Sequence, residues 1–307
     1  MKYERYRGQV PLDRLQKDYF LQYNPNYWVH KVNALLSFIE NPATINTLKF
    51  EGDNDSDEVI SLNLKMELHM AVFHSSEALF SNVFSIVFMP SLPWIWTSSC
   101  RPKKLYKLIE TVGKEGLSKL APSPEIWLRN NLYPAVGPDH ANYEKTKLSA
   151  TFVVDYLKTL ANEFLDHSEY NSYKHGLRSF IGKQKFQAIN EKTQEIVAYM
   201  ESDIINFLEF EEKDKSGKPY IDKEDGQPYI RVKLVTKSFD YKRDCMIVRM
   251  NSAILTNLFY TKAIAINAAA NDSRTFGYHL LDEFTLEDIF GHDPDTKGTG
   301  VFKRFTI

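Results

Sequence analysis

The sequence is poor in most of the features that announce a function. It holds two cysteines, Cys100 and Cys245, in 307 residues. Two isolated thiols build neither a disulfide framework nor a zinc site, and they suit a reducing compartment. Excess charge is small: 38 Lys and Arg stand against 40 Asp and Glu, with a pI near 6.5. There is no global pull toward nucleic acid or anionic membrane, so binding of that kind needs a local patch. The start, MKYERYRGQV, is charged and lacks the apolar centre of a signal peptide. The most apolar stretch, residues 70–89, still carries His74, Glu77, Asn82 and four serines, which argues against a membrane span. A cytoplasmic protein with no membrane partner is expected. No P-loop, dinucleotide fingerprint, Gly-x-Ser-x-Gly elbow or paired CxxC occurs, and no cofactor is indicated. The segment HDPDTKGTG (292–300) lacks the spacing and closing glutamate of a calcium loop.

What the chain does have is core-forming material. Hydrophobic residues make up 43% and aromatic residues 13% of it, enough for a packed core or a sizeable interface. Helices are expected within 11–40, broken near Asn24-Pro25, and over 59–89, opened by Ser56 and Asp57 and stopped by Pro90. PSLPWIW (90–96) reads as a proline-broken connector whose Trp94 and Trp96 plug the end of a core. Residues 102–120 read as an exposed basic helix; Glu110 and Glu115 interrupt its lysines, which favours a solvated face. A Pro- and Gly-containing loop over 121–139 follows. The next helix, 143–166, spaces Leu148, Phe152, Tyr156, Leu160 and Phe164 along one side, and another covers 169–181. The texture then changes to strand patterns at 186–190, 195–200, 204–212 and 228–236, with turn signals at Ser216-Gly217 and Asp225-Gly226. The near-copies GKPYI (217–221) and GQPYI (226–230) suggest two similar hairpin turns. A helix returns over 241–269, and VFKRFTI (301–307) reads as a last strand. The fold class expected is α+β: mainly a helical bundle (11–181 and 241–270) with a small antiparallel sheet inserted at 186–236, before the last long helix. The whole is read as one domain, with 271–307 as a C-terminal tail.

Two polar constellations stand out. Around YNSYKHGLR (170–178), turns of about 100° per residue over 169–181 put Tyr170, Tyr173, Leu177, Phe180 and Ile181 on a core side. Asn171, His175 and Arg178 fall together on the opposite side, flanked by Lys174. An imidazole moves a proton near neutral pH, a guanidinium clamps a phosphate, and an amide orients either. An ordinary surface helix also has such a polar back. The second constellation lies on the 59–89 helix. Asn63, Glu67, His74, Ser81 and Ser85 form a narrow strip with Ala71 and Ala78 between them and Glu77 at its edge. If buried, its carboxylates need partners, and His175 or Arg178 could supply them. Such a strip could also simply face water.

The run N-x-x-K-H-G (Asn171, Lys174, His175, Gly176), late in a helical bundle, resembles the motif region of the HEPN superfamily. The resemblance covers about residues 57–181 and the final helix. It implies an RNA- or nucleotide-binding protein of a defence or stress system, either a metal-independent ribonuclease or a non-catalytic relative. It also implies a homodimer with a composite site. Asn171 matches the family's polar position and His175 its histidine; the arginine position is Tyr170, which cannot carry the positive charge. Arg178, one turn after His175, is the substitute on the same face. The resemblance thus implies His175 as acid–base group, Arg178 as phosphate clamp and Asn171 as orienter, with Lys174 and Tyr170 beside the substrate. Two other classes compete. One is a non-catalytic interaction module that uses the aromatic surface and the sheet. The other is a metal-dependent bundle enzyme built on Glu67, His74 and Glu77, although His74-Ser-Ser-Glu77 reverses the Glu-x-x-His order of di-iron bundles.

Overall fold

The computed structural model describes residues 12–49, 54–165, 168–174, 179–189, 196–211, 213, 216–221, 227–269, 278–291 and 303–304. The chain is α+β and mainly helical, with an antiparallel sheet ahead of its last long helix. Its helices are α1 (Leu12–Gln22), α2 (Tyr27–Ile39), α3 (Asp57–Phe88), α4 (Pro93–Ser99), α5 (Pro102–Glu115), α6 (Pro124–Leu132), α7 (Tyr143–Leu165), α8 (Ser168–Lys174), α9 (Tyr241–Ala269) and α10 (Leu286–Phe290). The strands are β1 (Ser179–Ile189), β2 (Ile196–Glu211), β3 (Tyr220–Ile221), β4 (Pro228–Tyr229), β5 (Arg231–Ser238) and β6 (Lys303–Arg304). The chain, read from sequence as one domain, divides into two compact units. A helical unit takes in Met1–Lys31, His74–Leu165 and Met246–Ile289; a mixed unit takes in Val32–Phe73, Asp166–Cys245 and Phe290–Ile307.

Helix α3 starts where its sequence says it should. The Val59 N–H donates to Ser56 Oγ at 3.3 Å, and Asp57 and Glu58 occupy the first turn, where carboxylates oppose the positive helix end. The helix is long and apolar enough to cross a membrane, as core helices also are, and 61% of its most apolar window is buried within the fold. Proline starts helices here as well as stopping them. The connector expected at 90–96 becomes α4, opened by Pro93, and the loop expected at 121–139 contains α6, opened by Pro124. A first-turn proline lacks only an N–H that the helix would not have used.

In the helical unit α7 packs against α5 and α6. Its inner face carries Val153, Tyr156, Leu157, Leu160 and Phe164, all buried, whereas Leu148, expected inside, is 60% exposed. Four buried polar side chains tie this unit together. Tyr156 OH donates to Asn251 Oδ1 at 2.7 Å, and Asn251 Nδ2 donates to Ser75 Oγ at 2.9 Å and Ser76 Oγ at 3.1 Å. A second knot fixes the segment after α9. Asn257 pairs with the His279 backbone like a strand neighbour, through Nδ2 to the carbonyl at 2.8 Å and Oδ1 from the N–H at 2.7 Å.

In the mixed unit the sheet runs β1-β2-β5-β6, with a separate β3-β4 ribbon. The strand patterns at 195–200 and 204–212 are one strand, because β2 runs on through Ser202 and Asp203, paired with β1 from Ile196 to Phe207. The helix expected over 169–181 ends at Lys174. Ser179 already pairs with Phe207, so Phe180 and Ile181 belong to a strand, and Phe180 is 56% exposed rather than internal. The near-copies GKPYI and GQPYI are the two arms of one ribbon, with Tyr220 opposite Tyr229 and Ile221 opposite Pro228. Gly217, at φ 80°, makes the expected turn before the first arm; Asp225-Gly226 lies outside the described residues. Ile205, Phe207 and Val235 bury one sheet face, while Phe180, Leu208 and Phe210 are exposed on the other.

Candidate functional site

Only half of the YNSYKHGLR constellation falls on described residues. His175 and Arg178 lie outside them. Asn171 is half-buried and Lys174 is exposed, its ammonium 4.2 Å from the centroid of the Tyr170 ring. Tyr170, also expected beside the substrate, is fully buried and stacks on Phe73 at 5.1 Å. Its ring is core, as the helical wheel places it, and it has no surface to offer a ligand. Tyr173 donates its hydroxyl proton to Glu67. Burial, and then the Glu67 charge, push the phenol up to about 12. Glu67 in the polar strip thus finds a partner on α8, though it is a tyrosine rather than the His175 or Arg178 that the sequence suggested. Tyr173→Phe is expected to cost about 1–2 kcal/mol by leaving a partly buried carboxylate short of a donor. Thermal denaturation of the two proteins checks it.

Next to α8 the mixed unit holds charges that the sequence did not flag. His69 Nδ1 meets Asp244 Oδ2 at 2.8 Å, with side chains 13% and 4% exposed. Lys237 Nζ donates to Glu169 Oε2 at 2.7 Å, and Glu169 is buried. The His69 ring lies between Phe239, stacked at 4.8 Å, and Phe73, edge-on at 5.4 Å. Burial pulls its pKa down, but the Asp244 charge and hydrogen bond, with help from Glu169, leave it raised above the ordinary 6.5. Lys65 Nζ, 2.6 Å from Asp203, holds the middle of β2. These pairs are well-satisfied buried groups with aromatic packing, the pattern of structural struts.

The lower half of the α3 strip opens into a cleft of the helical unit. His74, Glu77, Ala78 and Ser81 form one wall. Thr97, Cys100, Pro102 and Leu105 form the other, around a volume of about 300 Å³. Trp28 lies flat on the His74 imidazole, 5.3 Å between centroids and 2° between planes, which fixes the ring's orientation. Tyr106 sits near enough to Glu77 for burial first, and then that carboxylate, to raise its phenol pKa. The Cys100 thiol is likewise raised by burial, against the pull of Lys104. At neutral pH it is a thiol and a poor nucleophile.

The basic helix beside this cleft is uneven. In its later part Lys114 pairs with Glu110 at 2.5 Å, and beyond it Lys119 pairs with Glu115 at 3.2 Å, so these charges are compensated. At its start Arg101, Lys103 and Lys104 are exposed and form no ion pair among the described residues. They surround Pro102 and the positive end of the α5 dipole, which lines the cleft. The sequence showed five lysines on this helix and read them alike; their separation into paired and unpaired sets depends on the glutamates' positions.

The strip does not assemble as a metal site. Among the described residues no three His, Cys, Asp or Glu side chains converge closely enough to hold an ion. Glu67 is engaged by Tyr173, while His74 and Glu77 line the cleft. Comparison of the chain with protein-family models, curated proteins and solved structures finds no match.

Proposed function

We propose that this chain binds RNA or a nucleotide, with the α3–α5 cleft of the helical unit as its phosphate-binding site. One observation carries the reading: uncompensated Arg101, Lys103 and Lys104 gather at a helix N-terminus on the rim of a cleft that contains a ring-stacked imidazole. Fixed cations and a positive helix end attract phosphate oxygens. The His74 imidazole can donate a hydrogen bond to, or accept one from, a ligand hydroxyl or oxygen. Glu77, on the same wall as His74, repels a bare anion and accepts from a ribose hydroxyl or a base amino group, which favours a nucleotide over free phosphate. The HEPN-like run supports the same substrate class. Within it, the proposal keeps His175 as acid–base group, Arg178 as clamp and Asn171 as orienter for metal-independent cleavage.

Fluorescence anisotropy with a labelled single-stranded RNA tests binding. Lys103→Ala with Lys104→Ala is expected to weaken affinity about tenfold at low salt and to flatten the salt dependence by about one to two phosphate contacts. Affinity equal to that of the parent protein, or no binding at all, would refute the assignment. A parallel incubation with mixed RNA in EDTA, alongside His175→Ala, reads catalysis. Cleavage lost in the variant assigns it to that histidine, and equal activity or inactivity in both removes the catalytic version.

A protein-holding role is favoured by a separate observation: Phe180, Leu208 and Phe210 share an exposed sheet face in the mixed unit. Size-exclusion chromatography with light scattering reads it, and a dimer that Phe210→Lys dissociates is the result expected of this second reading.

A further inference from the structure

One exposed aromatic ring of the helical unit stands near the cleft without forming part of its walls. Phe88 closes α3 and is 44% exposed. The chain then reverses over Met89–Leu92. The Met89 N–H donates to the Ser85 carbonyl at 2.8 Å and the Leu92 N–H to the Met89 carbonyl at 3.0 Å, and Pro93 opens α4. That tight return lays Trp96 against Phe88, with 5.9 Å between ring centroids and 17° between planes. Trp96 is 5% exposed and meets Phe84 edge-on at 6.3 Å, so the ring beneath Phe88 is held by the core.

A lone exposed phenylalanine is ordinary on a protein surface. Phe88 differs in two respects. Trp96 is its one aromatic partner among the described residues, so a ring with a rigid backing still shows much of its surface to water. The second respect is charge. Lys104 Nζ lies 6.0 Å from the centroids of both rings, and Lys104 is one of the rim cations that form no ion pair among the described residues. An aromatic face beside unpaired cations is the combination on which a single-stranded nucleic acid stacks a base and rests its backbone. A duplex keeps its base faces inside the helix and offers such a ring nothing to stack.

We infer that Phe88 is the base-stacking platform of the α3–α5 site, so that the ligand of that site is single-stranded RNA with an unpaired base laid on this ring. The inference rests on the phosphate-binding role proposed above for Arg101, Lys103 and Lys104. It adds the form of the polymer and the residue that selects it.

Fluorescence anisotropy of the full chain, with a labelled single-stranded RNA and with the same strand annealed to its complement, tests it. The single strand is expected to bind about tenfold more tightly than the duplex. Phe88→Leu keeps the apolar bulk and loses the flat face. It is expected to weaken single-strand binding about tenfold and to leave the salt dependence unchanged, because no phosphate contact is lost. Phe88→Trp is expected to bind at least as tightly as the parent protein, which a ring needed only for packing would not allow. A duplex bound as tightly as the single strand overturns the inference. So does unaltered affinity in Phe88→Leu, or a loss in folded Phe88→Trp as large as that in Phe88→Leu. If Lys103→Ala with Lys104→Ala still weakens binding in those cases, the phosphate site stands without the platform; an absence of RNA binding removes both. Sedimentation with phosphatidylserine vesicles that is lost in Phe88→Leu, while RNA affinity holds, reassigns the ring to a membrane surface and overturns the inference as well.

Discussion

Asn251→Ala is expected to destabilise the protein by about 3 kcal/mol, seen as a lower urea midpoint with an unchanged slope. The side chain is fully buried and joins three helices. Its oxygen accepts from Tyr156 and its nitrogen donates to Ser75 and Ser76. Truncation removes those bonds and withdraws partners from hydroxyls out of reach of water, each costing about 1–3 kcal/mol before relaxation. Tyr156→Phe alone is expected to cost less, about 1 kcal/mol, because it removes a donor and leaves only one acceptor short. Since the two residues share a bond, the double variant falls short of the sum of the singles by roughly 0.5–1 kcal/mol or more. Strict additivity would show that the pair does not act as one network.

Asp244→Ala is expected to cost about 3 kcal/mol at pH 6, within the range for breaking a buried pair from one side, and less at higher pH. Asp244 lies in the first turn of α9, and removing it exposes His69 as a lone buried charge. The pH dependence follows from the direction of the His69 shift. Its folded-state pKa stands above the ordinary 6.5. The pair's contribution is therefore complete below about pH 6.5, and it fades as pH rises through the folded value, where the imidazole loses its proton. Over that window the parent protein should lose stability faster than Asp244→Ala, and His69→Gln should remove the difference. Parallel pH profiles for the parent and Asp244→Ala would mean that the imidazole is not charged in the fold.

The pieces that could be read from sequence were those set by local rules. Ser56, the acidic first turn and Pro90 bounded α3 because capping chemistry and a missing N–H act within a few residues. The α+β order was legible because helical and strand periods differ. α8 was overextended because Tyr173, Leu177, Phe180 and Ile181 satisfy a helical wheel in sequence, while pairing with β2 decides the matter for the last two. The single strand β2 was cut in two because Ser202 and Asp203 resemble a turn, and its continuity depends on partners far away, such as Lys65 on α3.

The candidate site divides the same way. One wall of the cleft was visible as the His74, Glu77, Ala78 and Ser81 strip, since positions on one helix share a face by geometry. The other wall, Thr97, Cys100 and Leu105, joins it only through tertiary packing. His69 gave no signal at all, because its carboxylate partner is 175 positions along the chain. A histidine alone in an apolar run looks the same whether it is a strut, a ligand or a switch.

Photocrosslinking of a 4-thiouridine RNA to the full chain, followed by mass spectrometric mapping of the crosslinked peptides, tests the proposed site most directly. The prediction is adducts on the peptides carrying Trp28 and the Trp96–Lys104 segment, competed away by unlabelled RNA and weakened by Lys103→Ala with Lys104→Ala. Competable crosslinks confined to other segments, or none at all, would contradict a phosphate-binding cleft between α3 and α5.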